Sequence, residues 1–227
     1  MAETEGQAHA ADFPEQLLAG YRAFVSGRLK HEQARFRELA EHGQSPRVLI
    51  IGCCDSRCAP ETIFDAGPGE VFVARNIANL VPPYGPDAYH HGTSAALEFA
   101  VMGLRVEHVV VMGHAQCGGV TAYVHNEIDP YSRPLSPGDF IGQWIALIGD
   151  AAKRLGPPTE PIADYVERVA KESVRQSLRN MRTFPWVKNL EERGKLKLHG
   201  AYFGVADGRL QTLDEASGVF TPVFAAF

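Results

Sequence analysis

The sequence predicts an α/β fold: a mostly parallel central sheet flanked by helices, with an N-terminal helical arm and an antiparallel edge strand near the C-terminus. Three observations predict it. The runs Arg47–Cys54 and His108–Met112 are rich in Val and Ile with little alternation, as strands buried on both faces are. Segments with helical spacing of apolar residues fall between the extended runs, the order expected of a parallel sheet with helices on its faces. Near the end, Leu196–Val205, Asp207-Gly208 and Arg209–Leu213 read as a hairpin with a type I′ turn.

Taken in order, residues 1–12 are small and polar and read as a loose tail. From Phe13 to Glu41, Leu17, Leu18, Tyr21, Phe24, Val25, Phe36 and Leu39 follow helical spacing, with Gly27 breaking the arm into two helices. After the first strand comes a short turn or helix near Pro60–Phe64, then a strand over Glu70–Asn76. A Pro-rich loop, Val81–Pro86, leads to Thr93 or Ser94 as N-cap of a helix over Ala95–Leu104. Gly118–His125 reads as a helix, 130–138 as a loop, and Phe140–Leu155 and Ile162–Thr183 as helices, the second ended by Phe184-Pro185-Trp186. The whole is expected to form one domain, with 1–12 the tail, 13–42 the arm and 46–227 the α/β core.

With 227 residues the chain can bury a full core, and 45% hydrophobic with 22% charged residues suits a globular protein. A net charge of −5 and the lack of a Lys/Arg block argue against nucleic-acid binding. No apolar run is long enough to cross a bilayer, and the first residues lack a secretory pattern, so no membrane role and a cytoplasmic location are expected. Three of the four cysteines, Cys53, Cys54 and Cys58, lie within six positions, with Cys117 apart. In a reducing compartment such clustering points to metal or redox chemistry rather than disulfides.

Ligands in open α/β sheets gather just past the carboxyl ends of the strands. Two runs end there on a glycine and a metal-binding residue, Gly52-Cys53 and Gly113-His114, with Cys117 one turn later. Two thiolates and one imidazole suit zinc, and three protein ligands leave a position open for water, as at a catalytic metal. If the backbone stays extended past Gly52, Cys53, Asp55 and Arg57 share one face. Cys54 then points the other way, as a packed small hydrophobe.

Cys53-x-Asp55-Ser56-Arg57 followed by Gly113-His114-x-x-Cys117-Gly118-Gly119 resembles the signature of β-class carbonic anhydrases. The likeness extends to Pro68-Gly69-Glu70, Arg75–Tyr84, Ser177-Leu178-x-Asn180 and Phe184-Pro185-Trp186, while Gln44 and Pro82-Pro83-Tyr84 resemble the plant-like branch. The resemblance implies one zinc ion per subunit on Cys53, His114 and Cys117, with Asp55 and Arg57 as the catalytic dyad. It implies a pocket built from Gln44, Phe72 and the backbone N–H of Gly118. The reaction it implies is zinc-dependent, reversible hydration of carbon dioxide to bicarbonate and a proton, in a homodimer or homotetramer that exchanges N-terminal helices. Phe99 departs from a tyrosine common in the family, which leaves His90, His91 or buffer to export protons. Two alternatives stand beside this reading: hydrolysis of another small linear molecule on the same scaffold, and a zinc- or redox-sensing protein in which Cys53, Cys54 and Cys58 act as a thiol switch, with Asp55 available as the fourth ligand that a structural zinc site calls for.

Overall fold

The computed structural model describes residues 13–87, 90–129 and 131–224, so the expected tail at 1–12 and the first residue of the loop at 130–138 lie outside the described residues. The chain forms two compact units, Met1–Gln44 and Ser45–Phe227. The first carries α1 (Glu15–Ser26) and α2 (Arg28–His42), separated at Gly27 and ended by Gly43 in a left-handed conformation (φ 79°). Phe24 packs edge-on against Phe36 at 6.0 Å, yet neither helix buries a single residue. Leu17 and Tyr21 are 56% and 64% exposed.

The second unit is built on a six-stranded sheet in the order β2-β1-β3-β4-β5-β6. Its strands are β1 (Val48–Cys53), β2 (Val71–Asn76), β3 (His108–His114), β4 (Lys197–Phe203), β5 (Leu210–Asp214) and β6 (Val219–Pro222). The first four run parallel; β5 and β6 add antiparallel strands at one edge. Between them lie α3 (Pro60–Ile63), α4 (Gly92–Glu98), which runs on into a π-helical turn Phe99–Leu104, and α5 (Gly118–Ile128). Next come α6 (Phe140–Ile145) and α7 (Gly149–Leu155), joined by a short 3₁₀ turn, then α8 (Ile162–Met181) and α9 (Pro185–Glu192).

The main helix, α8, buries Val166, Val169, Ala170, Val174, Leu178 and Met181, an i, i+3, i+4 stripe. Val174 and Leu178 join Leu49, Ile51, Val109 and Val111 in one core, so the helix lies on the two central strands. Gly113 makes this approach possible: a Cβ there would stand 2.8 Å from Val174 Cγ2.

Several expectations need correction. The connection after β4 is longer than a two-residue type I′ turn, because Gly208 takes a positive φ (66°) while Asp207 does not, and Gly204 N–H closes the loop on the Arg209 carbonyl. The sequence carries no signal for β6, which extends the antiparallel edge by one strand. Helix α8 does end ahead of Phe184-Pro185-Trp186, but the sequence gives no sign that Pro185 also opens α9, where its missing N–H costs nothing. The helix expected over Phe140–Leu155 is interrupted by the 3₁₀ turn, and α4 starts at Gly92 without a side-chain cap. Thr93 Oγ1 instead accepts from Asn76 Nδ2.

Candidate metal centre

Cys53 ends β1 and His114 ends β3, its parallel neighbour. After His114 the chain reverses through Gln116, held in a left-handed conformation (φ 55°), and delivers Cys117 as the residue that opens α5. Cys53 Sγ and Cys117 Sγ are 4.0 Å apart, and one ligand atom from each of Cys53, His114 and Cys117 lies within 4.8 Å of the others. Tetrahedral zinc with Zn–S near 2.3 Å holds two sulfurs about 3.8 Å apart, so the spacing fits. All three side chains are buried. His114 Nδ1 donates to the Ala115 carbonyl at 2.9 Å, which leaves Nε2 as the lone-pair nitrogen. That Nε2 is buried and has no partner among the described residues. A buried unsatisfied polar atom costs about 1–3 kcal/mol, and a cation shared with two sulfurs is the group that satisfies it. The residues therefore fit zinc.

The Cys117 sulfur beside Cys53, at 4.0 Å, lowers the Cys53 pKa. The same contact with Cys53, followed by burial, raises Cys117. A bound metal would take both sulfurs as thiolates, and backbone N–H groups of Val120 and Gly119 at the start of α5 face the Cys117 sulfur and favour that charge.

Asp55 and Arg57 meet, though not as alternation along a strand. The strand ends at Cys53, and Asp55 caps a 3₁₀ turn over Ser56–Cys58. Asp55 Oδ1 accepts from Arg57 N (3.0 Å) and Nε (2.9 Å), and Oδ2 accepts from Nη2 (2.7 Å). Arg57 Nη2 also donates to the Gln116 carbonyl at 3.2 Å, tying the dyad to the loop between His114 and Cys117. The guanidinium holds the Asp55 carboxyl well below its ordinary range, at about 2. Asp55 is thus engaged by Arg57 rather than grouped with the three metal-ligand residues, unlike the fourth ligand that a structural zinc site in a sensor calls for.

From the sequence, Arg75 and Asn76 at the end of a strand are expected to hold loops or a subunit contact rather than touch substrate; the structure shows which loops they hold, a detail the sequence does not give. Arg75 Nε donates to the Cys53 carbonyl and Nη2 to the Asp55 carbonyl, although Arg75 itself looks like an exposed strand-end residue. Next to it, Asn76 bonds both the N–H and the carbonyl of Leu80, bracing a turn in which Ala78 and Asn79 both have positive φ. Asn180 donates to the Val81 carbonyl and Ser177 accepts from Val81 N–H, so the Ser177-Leu178-x-Asn180 motif anchors that segment to α8. Gly119 packs on the same turn: a Cβ there would fall 2.7 Å from Ile77 Cγ2. That contact, not a ligand, demands the second glycine.

The expected pocket residues are not all gathered here. Gly118 opens α5 with open space over its Cα, and its N–H is among the first-turn donors that no helical carbonyl satisfies. Phe72 pairs with Leu49 while Asn76 pairs with Cys53, so Phe72 stands four residues, about 13 Å, along the sheet from the ligand level. It packs against Phe99 at 5.8 Å instead. Gln44 is exposed and ends the first unit. Cys54 is exposed rather than packed, because the strand has already turned; Cys58 is the buried one, its thiol donating to the Asp55 carbonyl at 3.3 Å.

The family model described as "Carbonic anhydrase" matches residues 48–210. Among curated relatives, the mitochondrial beta carbonic anhydrase 6 of Arabidopsis thaliana is 34% identical over 205 residues, 88% of this chain and 67% of that protein. The chloroplastic beta carbonic anhydrase 5 of the same plant is 35% identical over 204 residues, 86% of this chain and 63% of that protein. The chain therefore spans about two thirds of the length of these relatives. A solved structure from a study of two tetrameric beta-carbonic anhydrases of the ascomycete Sordaria macrospora superposes with a TM-score of 0.73 at 31% identity, covering 91% of this chain and 98% of that one.

Proposed function

Because this chain belongs to the β-class carbonic anhydrases, we propose that it holds one zinc ion per subunit on Cys53, His114 and Cys117 and catalyses the reversible hydration of carbon dioxide to bicarbonate and a proton. The observation that carries this reading is His114 Nε2, buried, unpartnered and within 4.8 Å of two buried sulfurs. Zinc held there supplies Lewis acidity that brings a water molecule to nucleophilic strength near neutral pH.

The chain's own residues do the rest. Asp55, kept ionised by Arg57, is an acceptor that orients the proton of the attacking water and leaves an oxygen lone pair facing the carbon. Arg57 fixes that carboxylate with a bidentate fork and a third bond from its own backbone. The free N–H at Gly118 is a donor for an oxygen of the substrate as negative charge grows on it. Carbon dioxide is apolar, so its slot needs an aromatic wall. Phe72 stands about 13 Å along the sheet from its own ligand level, which supports a pocket completed by a neighbouring copy. The exposed apolar face of α1 supports the same assembly, a homodimer or homotetramer. A cytoplasmic location belongs to this reading and is supported by four free thiols.

Stopped-flow measurement of acidification driven by carbon dioxide, with zinc analysis alongside, tests the proposal. Rapid turnover with about one zinc per chain, abolished by Cys117→Ser or by a strong chelator, is the expected result. Full activity in metal-free protein overturns it.

A further inference from the structure

A second candidate site lies at the other end of the sheet, beside the amino ends of β3 and β4. A cleft of about 780 Å3 opens there between the π-helical turn after α4, helix α9 and the turn that follows it. Its apolar wall includes Met102, Trp186 and Leu190; Arg105, Arg193 and Lys195 surround it, and no acidic residue lines it. In a chain of net charge −5 this is an unusual concentration of one sign. The nearby carboxylates are committed elsewhere: Glu107 to Arg47, Glu191 to Arg182 at 2.7 Å, and Glu192 to Lys188 at 3.9 Å. Among the described residues, none of the three cleft cations has an ion pair or a side-chain hydrogen bond.

Arg105 adds an independent observation. It ends the π-helical turn in the left-handed region (φ 59°, ψ 45°), the position that glycine ordinarily takes at a helix end. A long cationic side chain is held where backbone sterics disfavour it, and its guanidinium has no partner among the described residues to offset the strain. Trp186 and Met102 supply the second half of the chemistry, an aromatic ring half-buried in the wall and a thioether 52% exposed.

We infer that this cleft binds an organic polyanion, a molecule with at least two phosphate charges attached to a flat apolar ring. The phosphates neutralise Arg105, Arg193 and Lys195, and the ring covers Trp186 and Met102. An inorganic anion alone satisfies the charges but leaves the apolar wall open to water. The site is remote from Cys53, His114 and Cys117, so this inference stands or falls independently of the proposed reaction.

The test is calorimetric titration of the full-length, zinc-loaded protein with adenosine 2′,5′-bisphosphate, which chelates metals weakly, and in parallel with adenosine and with inorganic phosphate. Saturable binding of one bisphosphate per chain, accompanied by a change in tryptophan emission, is expected, with adenosine and phosphate each weaker by about tenfold or more. Arg105→Gly separates binding from folding, because glycine suits the left-handed position. It should weaken the bisphosphate about tenfold while the Tm stays level or rises, and zinc content and carbon dioxide hydration stay unchanged. Arg193→Ala should weaken it similarly. The inference is overturned by the absence of saturable binding at millimolar bisphosphate, by affinity indifferent to both substitutions, or by inorganic phosphate binding as tightly as the bisphosphate.

Discussion

Arg75 binds the backbone of Cys53, donating to its carbonyl at 2.8 Å, and reaches on to the Asp55 carbonyl at 2.7 Å. One guanidinium on β2 thus fixes the strand end that presents a metal-ligand sulfur and the turn that presents the dyad carboxylate. Hydrogen bonds from a charged donor are worth about 1.5–3 kcal/mol each. Arg75→Ala should therefore weaken zinc retention against a competing chelator and lower kcat on the order of tenfold or more, while circular dichroism shows the fold retained. Arg75→Lys should recover little, because an ammonium lacks the fork that spans two carbonyls. Wild-type zinc affinity and turnover in Arg75→Ala would show that the loop holds itself.

Arg57 acts one step closer to the chemistry. Its three hydrogen bonds to Asp55 keep the carboxylate ionised and aimed, and its contact with the Gln116 carbonyl ties that aim to the second ligand loop. Arg57→Ala should cost about 10²-fold in kcat with zinc still bound, since orientation rather than metal affinity is lost. The freed Asp55 carboxylate can also turn toward the metal and take the open position. Cobalt substitution distinguishes the two routes, because an added carboxylate ligand changes the visible spectrum. Unimpaired turnover in Arg57→Ala contradicts the dyad.

The pH profile follows from charge. Asp55 has its pKa lowered to about 2 in the folded protein, mainly by the Arg57 hydrogen bonds, against about 3.9 in an unfolded chain. Its contribution to stability is complete above the unfolded value and disappears as pH falls through about 2. Asp55 therefore adds no inflection to activity between neutral and alkaline pH. The inflection must come from the activated water. Two thiolates and a neutral imidazole cancel the +2 of zinc, so this site acidifies water less than an all-imidazole site does. Turnover should climb from neutral to alkaline pH, and a flat profile from neutral pH upward refutes the charge argument.

The sequence announces the metal site because its ligands sit at strand ends, and strands are legible as Val/Ile runs. Cys53, His114 and Cys117 meet where parallel topology requires. What stays hidden is contact at long range between polar atoms: Arg75 on the Cys53 carbonyl, and Asn180 on the Val81 carbonyl across 99 residues. No periodicity encodes such pairs. Local misreadings have local causes. Extending the strand one residue too far made Cys54 look packed, whereas the Asp55-capped turn exposes it. Pro185 after Phe184 reads as the end of one helix, and the structure adds that it is also the first turn of the next. The strand β6 is four residues long and ends on Pro222, too short for alternation to register.

The arm makes the last prediction. Helices α1 and α2 bury no residue, and Phe13, Leu17 and Tyr21 are 52%, 56% and 64% exposed. Burying a side chain of this kind is worth about 1.5–3 kcal/mol, so three of them on one helical arm strongly favour association. Sedimentation of the zinc-loaded protein should show a dimer or tetramer at micromolar concentration. Replacing Leu17 and Tyr21 together with glutamate puts charge on the face to be buried, and should shift the protein toward monomer. If Phe72 of one copy walls the pocket of another, that dissociation must also lower turnover while each chain keeps its zinc. A wild-type protein that sediments only as a stable monomer, or a monomeric double variant with full turnover, defeats this account of the arm.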